Sequence, residues 1–127
     1  MVLKKAVVNF DGSARPNPGR MKIGAIIKMN GKEKRISKEM GWGTNNMAEY
    51  LALIEALKKA LEMGAEEVEI YGDSTLVIEQ LRGNYRVRDE KMKKLYAEVI
   101  KLLSKFQNWT ANWIPEELNK TAHDLSQ

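Results

Sequence analysis

Ala6-Val7-Val8-Asn9-Phe10-Asp11-Gly12-Ser13 is a mostly apolar run that leads into an aspartate and then breaks at glycine. Such a run reads as a short buried strand with one carboxylate at its end. An unpaired acid on a central strand is costly to bury, so something must compensate it. Two further acids stand in settings that can bring them to the same place. Glu49 lies in Thr44-Asn45-Asn46-Met47-Ala48-Glu49, near the start of a long helical pattern, and Asp73 ends a second strand-like run, Val68-Glu69-Ile70-Tyr71-Gly72-Asp73. The first strand is therefore expected to be a platform on which Glu49 and Asp73 converge with Asp11.

Outward from that strand, the pattern alternates in type. Lys4 to Asp11 reads as the first strand, and Gly12 to Gly19 as a loop rich in Pro and Gly. Lys22 to Met29 and Lys32 to Lys38 are strands two and three, joined at Asn30-Gly31, a hairpin signal because both residues tolerate positive φ. Gly41-Trp42-Gly43-Thr44 reads as a second loop, after which Asn45 or Asn46 caps a helix. Met47, Leu51, Ile54, Leu57 and Leu61 recur at helical spacing, Glu49 falls in the first turn, and Gly64 takes the C-terminal stop position. Glu67 to Tyr71 alternates as strand four, and Thr75 to Leu81 is a short helix. A helix from about Asp89 to Phe106 carries Met92, Leu95, Tyr96, Val99, Leu102 and Leu103 on one face. Asn108 to Ile114 is strand five, Pro115 breaks it, and Glu117 to Gln127 is a final helix. The order β-β-β-α-β-α-α-β-α implies the α/β class, with a mixed five-stranded sheet flanked by helices in a single domain over residues 1–127.

Composition narrows the function classes. Hydrophobic residues make up 43% and charged residues 30% of 127, as in globular proteins. No run of about 18 apolar residues exists, and the N-terminus lacks the zones of a signal peptide, so a cytoplasmic monomer with no membrane partner is expected. With no Cys, disulfides and thiolate zinc sites are excluded. The net charge of +4 suits a phosphate-bearing partner. The dense charge from Arg82 to Lys94 reads either as a solvated face or as a patch facing nucleic acid.

Mg²⁺ prefers oxygen ligands and keeps several waters, so a few carboxylates plus substrate phosphate often hold it. Two ions about 4 Å apart can hold both the attacking and leaving oxygens of a phosphodiester displacement. Two strand-end acids and one helix acid meet that need, and their crowding should push at least one carboxyl to titrate upward without metal. Singly, each has a plainer reading: Asp11 starting a turn, Glu49 favouring the helix dipole, Asp73 capping the short helix.

Taken together, the motifs resemble the type 1 ribonuclease H family. The residues that carry the resemblance are Asp11-Gly12-Ser13 with Asn17-Pro18-Gly19, Thr44-Asn45-Asn46 ahead of Glu49, Gly72-Asp73-Ser74, and the tail Trp113-Ile114-Pro115 with Asn119 and Ala122. The resemblance spans almost the whole chain. It implies an endonuclease that cuts the RNA strand of an RNA/DNA hybrid with two Mg²⁺ or Mn²⁺ ions. Asp11, Glu49 and Asp73 match three of the family's four metal-binding acids. Asn17, Asn45 and Asn46 match hybrid-contacting positions, with Gly12 and Ser13 beside them, and Thr44 matches a position near a DNA-strand phosphate. An amide can answer the 2′-OH as donor or acceptor. The basic helix-and-loop extension of some bacterial members is missing, and no hybrid-binding domain is expected ahead of the first strand.

One position departs from the family pattern. Family tails read Asn-x-x-Ala-Asp, whereas this chain reads Asn119-Lys120-Thr121-Ala122-His123-Asp124. On a helical wheel Leu118, Ala122 and Leu125 share the packed face, and Asn119 and His123 share one flank. His123 is then the side chain directed at the metals, and Asp124 replaces it only if the helix shifts or frays. The family's flexible-loop His has no counterpart here. A nucleic-acid-binding domain of the same fold, catalytically weakened at the fourth ligand, is the alternative reading.

Overall fold

The computed structural model describes residues 2–127. Strand β1 (Lys5–Arg15) runs through the middle of the sheet, flanked by the hairpin partner β2 (Gly19–Met29), which in turn pairs with β3 (Lys32–Gly43). On its other side lie β4 (Glu67–Gly72) and then β5 (Asn108–Trp113). The β1–β2 and β2–β3 pairs are antiparallel, and β1–β4 and β4–β5 are parallel. Parallel neighbours need crossovers. Helix α1 (Asn45–Glu62) supplies the first, and α2 (Thr75–Leu81) with α3 (Glu90–Leu103) supplies the second. A 3₁₀ turn over Glu116–Leu118 precedes the short α4 (Lys120–Leu125).

Period-two alternation gives β1 two different faces. Val8 and Phe10, with Ile23 and Ile27 of β2 and Ile70 of β4, are fully buried against Tyr50, Leu53 and Leu57 of α1. Burying such a side chain contributes about 1.5–3 kcal/mol, so this face holds the fold together. Helix α3 packs on α1 through Val99, Leu102 and Leu103. The opposite face is more thinly covered: α4 lies across β1 and β2, with Ala122 fully buried. Two glycines permit these approaches. A Cβ at Gly12 would stand 2.3 Å from the Ala48 carbonyl of α1, and one at Gly24 would stand 2.4 Å from the Ala122 oxygen of α4.

Several boundaries differ from the sequence reading, for local reasons. Gly12 to Gly19 is not an open loop: β1 continues to Arg15 and β2 starts at Gly19, leaving Pro16-Asn17-Pro18 as the turn. Ala14 and Met21, buried beside Ala48, extend the hairpin. Gly41-Trp42-Gly43 is the end of β3, because a register irregularity opposite Arg20 and Lys22 takes up Gly41 at φ 82° and pairing resumes at Trp42. The cap of α1 is Thr44, whose Oγ1 accepts from the Met47 N–H at 3.2 Å, and not Asn45 or Asn46. Glu49 consequently falls in the second turn, beyond the helix start. The final helix is not continuous from Glu117. Asn119, 1% exposed, holds φ −111° and separates the 3₁₀ turn from α4. Leu118 is 70% exposed and lies off the packed face where the wheel put it.

Gly24→Ala should lower stability by about 1–3 kcal/mol in urea unfolding, the scale of overpacking a tight contact. Amide exchange in α4 should accelerate along with it. An unchanged midpoint would show that α4 is not seated on Gly24.

Candidate active site

Three elements end at one place. The β1 register puts Asp11 opposite Gly24, on the α4 side of the strand. Glu49 comes from the second turn of α1, where Gly12 lets helix and strand backbones touch. Asp73 follows β4, whose parallel pairing with β1 stops at Phe10 opposite Gly72, so Asp73 emerges beside Asp11 in the middle of β1, which runs on to Arg15. One carboxylate oxygen from each of Asp11, Glu49 and Asp73 lies within 4.8 Å of the others. Asp11 and Glu49 are buried and Asp73 is half-buried.

The surroundings hold each carboxylate in place. Gly12 N–H donates to Glu49 Oε1 at 2.8 Å, and Ser126 Oγ donates to Asp11 Oδ2 at 2.8 Å. Asn119 Nδ2 donates to the Phe10 carbonyl at 2.9 Å and to Asp73 Oδ2 at 3.3 Å, while its Oδ1 accepts from Asn9 Nδ2 at 3.0 Å. One amide thus ties the tail to both strands. His123 Nδ1 stands 3.1 Å from Asp11 Oδ2 and 3.0 Å from Glu116 Oε1. Ionised carboxylates only accept, so these contacts are hydrogen bonds in the tautomer that carries the proton on Nδ1. Asp124 is 58% exposed and pairs with Lys120 at 3.3 Å, away from the acids.

Crowding shows in the acid–base behaviour. Burial, then the charges of Asp11 and Asp73, push the Glu49 carboxyl well above its usual range, against the Gly12 hydrogen bond. Burial and then the Asp11 charge push Asp73 up to about 6, against the Asn119 hydrogen bond. A set of hard oxygen donors that resists full ionisation on its own fits a divalent cation, which removes the repulsion.

Beside the acids runs a second depression of about 730 Å³, lined by Asn17, Pro18, Trp42, Thr44, Asn45 and Asn46 on one side and by Lys91 and Met92 on the other. Asn45 also lines the acid cavity of about 450 Å³, together with Gly12 and Ser13, so the two adjoin at this residue. Asn17 Oδ1 accepts from the Asn45 N–H at 3.0 Å, and Asn45 Oδ1 accepts from the Ala14 N–H at 2.7 Å. Ser13 Oγ donates to the Ser126 carbonyl at 3.0 Å.

Residues 9–127 match the profile of the family described as reverse transcriptase-like. The chain is 34% identical over 125 residues to the bifunctional protein Rv2228c of Mycobacterium tuberculosis, covering 96% of this chain and 34% of that protein. The crystal structure of RNase H1 from the halophilic archaeon Halobacterium salinarum superposes with a TM-score of 0.92 at 33% identity, over 96% of this chain and 94% of that one. LC11-RNase H1, solved in complex with an RNA/DNA hybrid, gives a TM-score of 0.88 at 34% identity, over 95% of this chain and 93% of that one. The chain belongs to the type 1 ribonuclease H family. It spans about a third of the length of the mycobacterial relative.

Within this ribonuclease H fold, the residues singled out in the sequence divide by position. Asp11, Glu49, Asp73 and His123 meet at the acid cavity, Asn17, Thr44, Asn45 and Asn46 line the neighbouring groove, and Asp124 reaches neither. Sequence reasoning missed Ser126 and Glu116, which stand at Asp11 and His123. A serine next to the last residue carries no periodicity or motif. Glu116 sat in a run of charge after a proline, where a solvated role is the ordinary expectation. Among the described residues, no helix is long and apolar enough to cross a membrane.

The raised Asp73 pKa means that the folded protein binds more protons than the unfolded chain between the ordinary range and about 6. This contribution is fully present at low pH and is lost as pH rises through that window. In EDTA, Asp73→Asn should therefore gain melting temperature relative to wild type as pH rises from about 4 to 6. A pH-independent difference between the two would mean that Asp73 titrates normally.

Proposed function

We propose that this chain hydrolyses the RNA strand of RNA/DNA hybrids with Mg²⁺ or Mn²⁺, two ions being held by Asp11, Glu49 and Asp73 with His123 beside them. The observation that carries this reading is the convergence of three carboxylates, from the middle of β1, the end of β4 and the second turn of α1, to within 4.8 Å. When bound, such ions hold the attacking and leaving oxygens of the displacement and stabilise the charge that develops on phosphate. The protein's own part is to keep the acids fixed. Gly12 N–H orients Glu49, Ser126 orients Asp11, and Asn119 orients Asp73.

Recognition of the hybrid falls to the neighbouring groove. The Oδ1 atoms of Asn17 and Asn45 are occupied by backbone N–H groups, which leaves their Nδ2 groups as donors. Donors of this kind read a 2′-hydroxyl acting as acceptor, the group that separates RNA from DNA. Thr44 Oγ1 accepts as a helix cap, so its O–H is free to donate to a phosphate oxygen. With no basic extension in the short connection between α2 and α3, affinity rests on this surface, whose lining charges are Lys91 and Asp89. A second reading, a nucleic-acid-binding domain with weakened catalysis, is favoured by one observation: an imidazole stands beside Asp11 where the family carries an acid.

RNA/DNA hybrid should be cut in the RNA strand with Mg²⁺ or Mn²⁺ and remain intact in EDTA, while duplex DNA is spared. Asp11→Asn should reduce the rate by roughly 10²–10³-fold, the scale of losing a group that acts on developing charge. It should also lose most of the metal-induced rise in melting temperature. Binding without cleavage would select the second reading, and undiminished cleavage in EDTA would sink the first.

Imidazole is a poor ligand for Mg²⁺ and a better one for Mn²⁺. Activity should accordingly favour Mn²⁺, His123→Asp should raise the Mg²⁺-supported rate, and Asp124→Ala should leave it near wild type. Loss of cleavage in Asp124→Ala but not in His123→Ala would reverse the assignment.

A further inference from the structure

We propose that Glu116 is a further metal-site residue, supplying the fourth negative charge of the acid cavity from the 3₁₀ turn ahead of α4. This rests on the reading of Asp11, Glu49 and Asp73 as a site for two divalent ions. Two dications carry four positive charges, whereas those three acids supply three negative ones and His123 supplies none when neutral. Glu116 is the remaining side-chain carboxylate that lines the same cavity, whose rim also carries the exposed Arg15.

Its position is built. The segment entering the turn is pinned to the end of β4, with the Ile114 N–H donating to the Gly72 carbonyl at 3.0 Å and Trp113 Nε1 donating to the Asp73 carbonyl at 3.1 Å. The segment leaving it is fixed by buried Asn119, which bonds to Phe10 and Asp73. Both ends of the turn are therefore referenced to the strand segments that carry Asp11 and Asp73. Within it, Glu116 Oε1 is held 3.0 Å from His123 Nδ1, the same nitrogen that faces Asp11. The side chain is 62% exposed, so it stands at the rim where water and cation enter. Mg²⁺ keeps several of its waters, and an acid at the rim contributes to its binding without entering the innermost ligand set. Glu117, in the same turn, does not line the cavity.

The plainer account is a surface pair in which Glu116 only steadies His123. Metal binding without substrate separates the two, read by calorimetric titration of Mn²⁺ and by the Mn²⁺-induced shift in melting temperature of the full chain. Glu116→Gln should weaken Mn²⁺ binding by about tenfold or more, the scale of losing an outer partner of a metal site. Glu117→Gln, which removes the same charge one residue away, should bind as wild type does. The Glu116→Gln loss should persist in a His123→Ala background. Wild-type affinity in Glu116→Gln, an equal loss in Glu117→Gln, or disappearance of the effect once His123 is Ala would each overturn the proposal while leaving the three-acid site intact. Absence of Mn²⁺ binding by the wild type would overturn both.

Discussion

Mutual repulsion among three carboxylates is the constraint on which this structure turns. Two unit charges 4 Å apart interact by about 4 kcal/mol at an effective dielectric of 20, and here three acids approach within 4.8 Å of one another. Hydrogen bonds from Gly12, Ser126 and Asn119 orient the carboxylates, and the α1 face of the sheet holds the elements that carry them, where the fully buried Val8, Phe10, Leu53, Leu57 and Ile70 each contribute about 1.5–3 kcal/mol. That apolar layer fixes the offset between β1, β4 and α1 and therefore the spacing of the acids. The site is strained electrostatically so that a cation relieves it, and the core is what makes such strain tolerable.

The framework was legible in the sequence where periodicity is strong. The central strand, the Asn30-Gly31 hairpin, α1 with its Gly64 stop, and the β4–α2 transition at Asp73 all follow from patterns of apolar residues and breakers. What escaped was tertiary in origin. Glycine and proline between Gly12 and Gly19 suggested a loop, but contacts of Ala14 and Met21 with Ala48 extend the ladder through most of it. Asn119 looked like one residue of a helix, and three hydrogen bonds to distant segments take it out of one. No window of sequence contains those partners. The three acids were found because each stands beside an apolar run, although β1 continues past Asp11 and Glu49 lies in the second turn of α1, whereas Ser126 and Glu116 reach the site only through the path of the tail.

The groove and the acid cavity are joined by a single residue. Asn45 borders both, and its amide is tied to the Ala14 backbone while its own N–H is tied to Asn17. The hairpin turn, the start of α1 and the end of β1 thus move as one piece. On the proposed reading, a hybrid seated in the groove is held at a fixed offset from the acids, the positional requirement for a cut at one bond.

Helix α4 spans only Lys120–Leu125, and a segment that short has no helical stability of its own. It exists because it is docked, so its release is a local event that costs far less than unfolding the sheet. Release would carry His123 and Ser126 away from Asp11 while Glu49 and Asp73 stayed on α1 and β4. The site therefore has a permanent wall and a detachable one, and the lifetime of the assembled site is set by the undocking rate of six residues.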